Sequence, residues 1–200
     1  MNTSVISSVR NPALDFTKGV LLLFMVLYHW INYFVDVQGF FYTYLRFITP
    51  SFIFITGFLL ANVYPDRYGF DSSQIFRRLL LRGMKLLLLF VLLNVVANLL
   101  FARSYNRVMP GIDGFFRDAP IIFTSGNAKA AFAILVPISY LLLLSAVIFL
   151  LGRSYPQALP FMCMVLFGGS VVLDLYGLAS VNVTLLGIGI LGLWGGLYPL

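Results

Sequence analysis

Six apolar runs, each near the length of a bilayer crossing, take up most of the chain: Phe16–Val35, Phe41–Val63, Leu79–Phe101, Ala130–Leu151, Leu159–Tyr176 and Val183–Tyr198. A helix needs about 20 apolar residues to cross the hydrocarbon. In lipid every backbone N–H and C=O must be satisfied within the protein, so such runs predict helices. The expected fold class is all-α, a polytopic transmembrane bundle of about six helices. Composition agrees: of 200 residues 60% are hydrophobic, 10% are charged and none is Glu, against about 25% charged in an ordinary soluble domain. The net charge of +6 does not suggest nucleic acid, because the basic residues lie mostly between the runs, where they set topology. The single cysteine, Cys163, excludes a disulfide framework within the chain.

Two runs are irregular. The second is interrupted by Arg46 and Pro50. Thr49-Pro50 suits an N-cap and first turn, but a start there leaves the span short, so a kinked or broken helix is expected. The sixth is short and Gly-rich. The first lacks a small-residue cleavage site and is read as a span, with no cleavable signal peptide. With the N-terminus inside, the inner face holds Arg10, Arg67, Arg77, Arg78 and Arg153, with Arg82 and Lys85 just inside the third span. Arg103, Arg107, Arg117 and Lys129 share one long outer loop with Asp113 and Asp118, and the other outer loops carry no Lys or Arg. This bias predicts a cytoplasmic N-terminus. That loop, 102–129, contains Met-Pro-Gly-Ile-Asp-Gly, a turn signal, and is either a lid or an ordered connector.

Polar residues within the first run form a stripe. Lys18 and His29 are eleven residues apart, three turns plus about 20°, so they share a face about 16 Å apart along the axis. Asp15, Met25 and Asn32 fall on the same stripe. Ionisable side chains inside a membrane helix are costly and point to function by default. His29 is the only histidine and the natural group to move a proton near neutral pH. Each also has a plainer role: Lys18 snorkelling to headgroups, Asp15 at a helix N-terminus, His29 bonded to a neighbouring helix.

Other patterns carry less. Gly187-x-Gly189-x-x-Gly192 matches a dinucleotide fingerprint by letter but lies inside an apolar run with no βαβ context. Gly192-x-x-x-Gly196 reads better as a helix-packing surface. Asn182-Val-Thr184 is a formal glycosylation sequon of little weight. No cluster has metal-ligand spacing, so no metal is expected. In Arg77-Arg78-Leu-Leu-Leu-Arg82-Gly-Met-Lys85, residues Arg78, Arg82 and Lys85 recur on one helical face. They are either anchors on anionic headgroups or a dock for a phosphorylated donor.

Two segments together resemble a known family. Arg10-Asn-Pro-Ala-Leu-Asp15-Phe-Thr-Lys18-Gly19, followed by an apolar helix carrying His29, is similar to the opening of acyltransferase family 3 and of the heparan-α-glucosaminide N-acetyltransferase-like proteins. Arg46-Phe-Ile-Thr-Pro50-Ser-Phe52-Ile-Phe-Ile-Thr-Gly57 resembles their second-helix signature. Lys18 stands where the family has Arg, which loses bidentate geometry. The resemblance covers about the first 85 residues. It implies that residues 1–200 are one integral-membrane domain, the N-terminal half of a longer one with about ten spans of bilayer length.

The resemblance implies acyl transfer across the membrane, from cytoplasmic acyl-CoA as co-substrate, with no bound cofactor, to an extracytoplasmic carbohydrate hydroxyl or amine. On that reading His29, Lys18 and Asp15 are catalytic: His29 acts as general base or acyl carrier, Lys18 meets donor phosphate or carbonyl, and Asp15 holds Lys18. Arg78, Arg82 and Lys85 bind the donor, while Asn32 and Arg46 face the acceptor. The implied location is a cell membrane, the bacterial inner membrane foremost, with lipid, acyl-CoA and glycan as partners. A proton-coupled transporter or flippase would also place a basic–His stripe in a bundle, and an inactive fragment of the acyltransferase is the third reading.

Overall fold

The computed structural model describes residues 12–34, 45, 47–68, 72–101, 111–126, 130, 132–152, 155 and 157–198. Among them are seven α-helices and no strand: α1 (Pro12–Phe34), α2 (Ile48–Tyr68), α3 (Ser72–Phe101), α4 (Gly111–Thr124), α5 (Leu135–Gly152), α6 (Ala158–Leu175) and α7 (Val181–Gly196). Four of them, α2, α3, α5 and α6, are long and apolar enough to cross a membrane, and α7 is a shorter apolar helix. Large apolar side chains lie on the outside throughout, among them Leu23, Leu88, Leu99, Phe161 and Leu175. Soluble proteins rarely expose contiguous apolar surface on this scale. The chain has the surface of a membrane protein.

Two irregular segments take definite form. In the second run Leu45 is helical, Phe47 is in a turn and a new helix follows, in keeping with the interruption expected there. That helix starts at Ile48, so Pro50 falls in the first turn, where its missing N–H costs no hydrogen bond. The length lost upstream is recovered downstream, because α2 continues through Pro65 to Tyr68. Residues 41–44 and Arg46 lie outside the described residues. The 102–129 connection contains a helix among its described residues. Residues 111–124 form α4, whose Phe115 and Ile122 are buried with Phe90 of α3 and Val136 of α5. Boundaries moved as well: α3 begins at Ser72, which takes the basic cluster into the helix, and α5 begins only at Leu135.

The C-terminal carbonyls of α4 have no partners within the helix, and side chains from elsewhere satisfy them. Asn182 Nδ2 donates to Ile122 O at 3.0 Å and Phe123 O at 3.2 Å. The Tyr140 hydroxyl donates to Phe123 O at 2.8 Å, and Ser180 Oγ to Thr124 O at 3.1 Å. Gly126, at φ +71°, passes so close to Asn182 that a Cβ would strike its amide. The sequon asparagine is thus a buried structural clasp.

Glycines decide which helices pair. A Cβ on Gly57 would strike the Gly189 carbonyl oxygen, one on Gly192 the Phe54 carbonyl oxygen, and one on Gly196 would crowd the Phe58 carbonyl oxygen. So α2 and α7 run side by side with their backbones touching, as small residues allow in membranes. The expected packing role of Gly192-x-x-x-Gly196 is what the structure has. On α3, Gly83 packs against Leu143 and the Ser139 carbonyl of the antiparallel α5. Each of α2 and α3 is therefore held by a partner other than its chain neighbour, and the two barely touch.

Candidate functional site

Because α2 packs on α7 and α3 packs on α5, a groove of about 620 Å³ stays open between α2 and α3, with α5 as its floor. One end is basic. Lys18 of α1 and Arg82 and Lys85 of α3 line it there, beside Tyr64 of α2, and no acid is among the lining residues. The rest is apolar: Leu59 and Leu60 of α2, Leu86 and Leu89 of α3, Ile138 and Leu142 of α5. Phe52 and Tyr64 are twelve residues apart along α2, so the groove runs about 18 Å along the helix axis.

The basic end is partly fixed. Arg82 Nη1 donates to the Tyr64 hydroxyl, and the guanidinium carbon lies 5.5 Å from the Tyr64 ring centroid, within cation–π range. Tyr64 is 5% exposed, so a rigid wall holds the guanidinium while its other N–H groups remain. Lys18 Nζ lies 3.5 Å from Asp15 Oδ1, with both side chains more than two-fifths exposed. A long exposed pair of this kind is worth little and leaves Lys18 able to meet an anion. Among the described residues the one hydroxyl deeper in the groove, that of Thr56, donates to the Phe52 carbonyl at 2.8 Å within its own helix.

Of the residues expected to form the site, the structure brings Lys18, Arg82 and Lys85 to one groove, and Asp15 to Lys18. Arg78, one turn before Arg82, is exposed and does not line the groove. His29 and Asn32 lie on α1 by their backbones; their side chains, and all of Arg46, are outside the described residues. Tyr64 was missed by sequence reasoning. A signal existed, since two successive spans joined by a short connection place the last turns of the first opposite the basic start of the second. No family profile, curated protein or solved structure matches the chain, and the groove must be read from its own residues.

Proposed function

We propose that this chain is a multi-pass membrane acyltransferase domain, N-terminus cytoplasmic, which moves an acyl group from cytoplasmic acyl-CoA to an extracytoplasmic carbohydrate hydroxyl or amine. The observation that carries the reading is the convergence of Lys18, Arg82 and Lys85, from two helices, on one groove rim, with Asp15 3.5 Å from Lys18 as the one carboxylate described beside them. Such a rim suits phosphate: the ammonium groups act as point charges and the guanidinium as a fork. The resemblance of the first 85 residues to acyltransferase family 3 supplies the chemistry. His29 takes the proton of the acceptor hydroxyl or amine as that group attacks the thioester carbonyl. It returns the proton to the departing CoA thiolate. The weight of Arg77, Arg78, Arg82 and Lys85 at the start of α3 favours the cytoplasmic side for this end, while Arg117 at the other end has Asp118 3.5 Å away.

The test is release of CoA thiol from acyl-CoA by the purified protein in proteoliposomes, with a carbohydrate acceptor enclosed on the extracytoplasmic side. Acceptor-dependent thiol release is expected. Solute-dependent proton movement with no thioester consumed would replace the reading with a transporter, for which the sideways opening of the groove is the supporting observation.

A further inference from the structure

The apolar body of the groove fits a different part of chemistry from its rim. Its edges, Val63 of α2 and Leu89 of α3, are 44% and 41% exposed and belong to two of the four helices long and apolar enough to cross a membrane. The groove therefore opens sideways, at a depth where the surroundings are lipid. Among the described residues its walls offer a ligand no polar partner below the rim, since the Thr56 hydroxyl is already bonded to its own helix. A ligand with amides along its length, such as the pantetheine arm of CoA, would bury them without hydrogen bonds, which is unfavourable. A hydrocarbon chain loses nothing there and gains by filling a space that close-packed interiors do not leave empty.

We infer that the α2–α3 groove is a binding site for an anionic phosphate-headed membrane lipid, with one acyl chain lying along α2 from Tyr64 towards Phe52 and the phosphate held by Lys18, Arg82 and Lys85. Charge complementarity chooses the head: three cations line that end against one nearby carboxylate, Asp15, in a long exposed pair with Lys18, and charged hydrogen bonds to phosphate are the strong ones. The Tyr64–Arg82 contact holds one donor in place before the lipid arrives, which lowers the ordering cost of binding. The inference does not depend on acyl transfer. If the chain is also an acyltransferase, lipid phosphate and donor phosphate compete for the same rim.

The experiment uses the full-length protein in nanodiscs of phosphatidylcholine doped with a little phosphatidylglycerol, and native mass spectrometry counts the retained lipids. One phosphatidylglycerol should be kept in preference to phosphatidylcholine by at least tenfold over its share in the disc. Arg82→Gln with Lys85→Gln should remove that preference. Leu89→Trp, placed at an exposed edge where a larger ring can fold, should cut retention at least fivefold by filling the groove while leaving every cation in place. Soluble glycerol phosphate should not displace the lipid at millimolar concentration. Retention unaffected by Leu89→Trp would mean ordinary headgroup anchoring and would overturn the proposal, as would equal retention of both lipids or displacement by glycerol phosphate. Acyl-CoA turnover is measured on the same preparations. Turnover without a retained lipid sinks the lipid site alone, and a retained lipid without turnover sinks only the acyl-transfer reading.

Discussion

Arg82 and Tyr64, eighteen residues apart in sequence, meet across the α2–α3 hairpin, where Nη1 of the arginine donates to the tyrosine hydroxyl and the guanidinium stays 5.5 Å from the ring centroid. The contact turns a flexible basic side chain into a fixed part of the groove rim. Tyr64→Phe keeps the ring and removes the acceptor. Affinity for a phosphate-headed ligand should fall roughly two- to tenfold, the ~0.5–1.5 kcal/mol of one net hydrogen bond, and Arg82→Gln should cost more. Isothermal titration with acyl-CoA reads both changes. Wild-type affinity in Tyr64→Phe would remove the positioning role.

His29 and Lys18 share α1 and divide the proposed chemistry. His29→Ala should lower acyl transfer by the ~10²–10⁴-fold typical of a lost acid–base group, with normal expression, since a small apolar residue is tolerated in a membrane helix. Lys18→Arg should retain transfer and Lys18→Met should not, because the rim needs a cation. Undiminished transfer by His29→Ala would return the histidine to packing.

Two glycine substitutions should act in opposite directions. Gly192→Val forces a side chain against the Phe54 carbonyl and should destabilise by ~1–3 kcal/mol or more, as overpacking does. Gly168→Ala meets no atom within 4 Å and should stabilise by roughly 0.5–1 kcal/mol through helix propensity. Thermal unfolding in detergent gives the signs. Equal behaviour would deny that α2 and α7 touch by their backbones.

Asn182→Ala removes two donors from the end of α4. A loss of about 1–3 kcal/mol is expected for the Ile122 carbonyl left without its side-chain partner, the Phe123 carbonyl keeping Tyr140, read as faster hydrogen exchange over residues 111–124 than in α5. With Asn182 only 5% exposed, the sequon should stay unmodified in microsomes that glycosylate a control site.

Orientation is tested by thiol labelling of Ser73→Cys, on a residue exposed at the start of α3, in a Cys163→Ser background. Labelling should occur from the cytoplasmic side. Modification only from outside would invert the topology and the assignment of donor and acceptor faces.

Apolar runs were enough to determine the helical class, because lipid allows an uninterrupted apolar stretch few other ways to satisfy its backbone. The packing use of Gly192 and Gly196 was legible for a similar reason, since small residues four apart have one common role in a membrane helix. The stripe on α1 and the basic face of α3 could be read as separate features from helical periodicity alone. Their meeting could not. Whether Lys18 joins Arg82 and Lys85 depends on α2 packing against α7 rather than α3, a choice made by Gly57 together with Gly189 and Gly192, which lie more than a hundred residues further along the chain. The same reason hid Tyr64 and Asn182, ordinary residues in apolar surroundings until the fold brought a guanidinium to one and helix-end carbonyls to the other. The order of α4 was hidden too, because a proline-glycine turn signal marks where a connection begins and says nothing about Phe115 and Ile122 finding Phe90. Local pattern determined which segments are helices. Only the tertiary structure decided which helices leave a gap, and the candidate site is that gap.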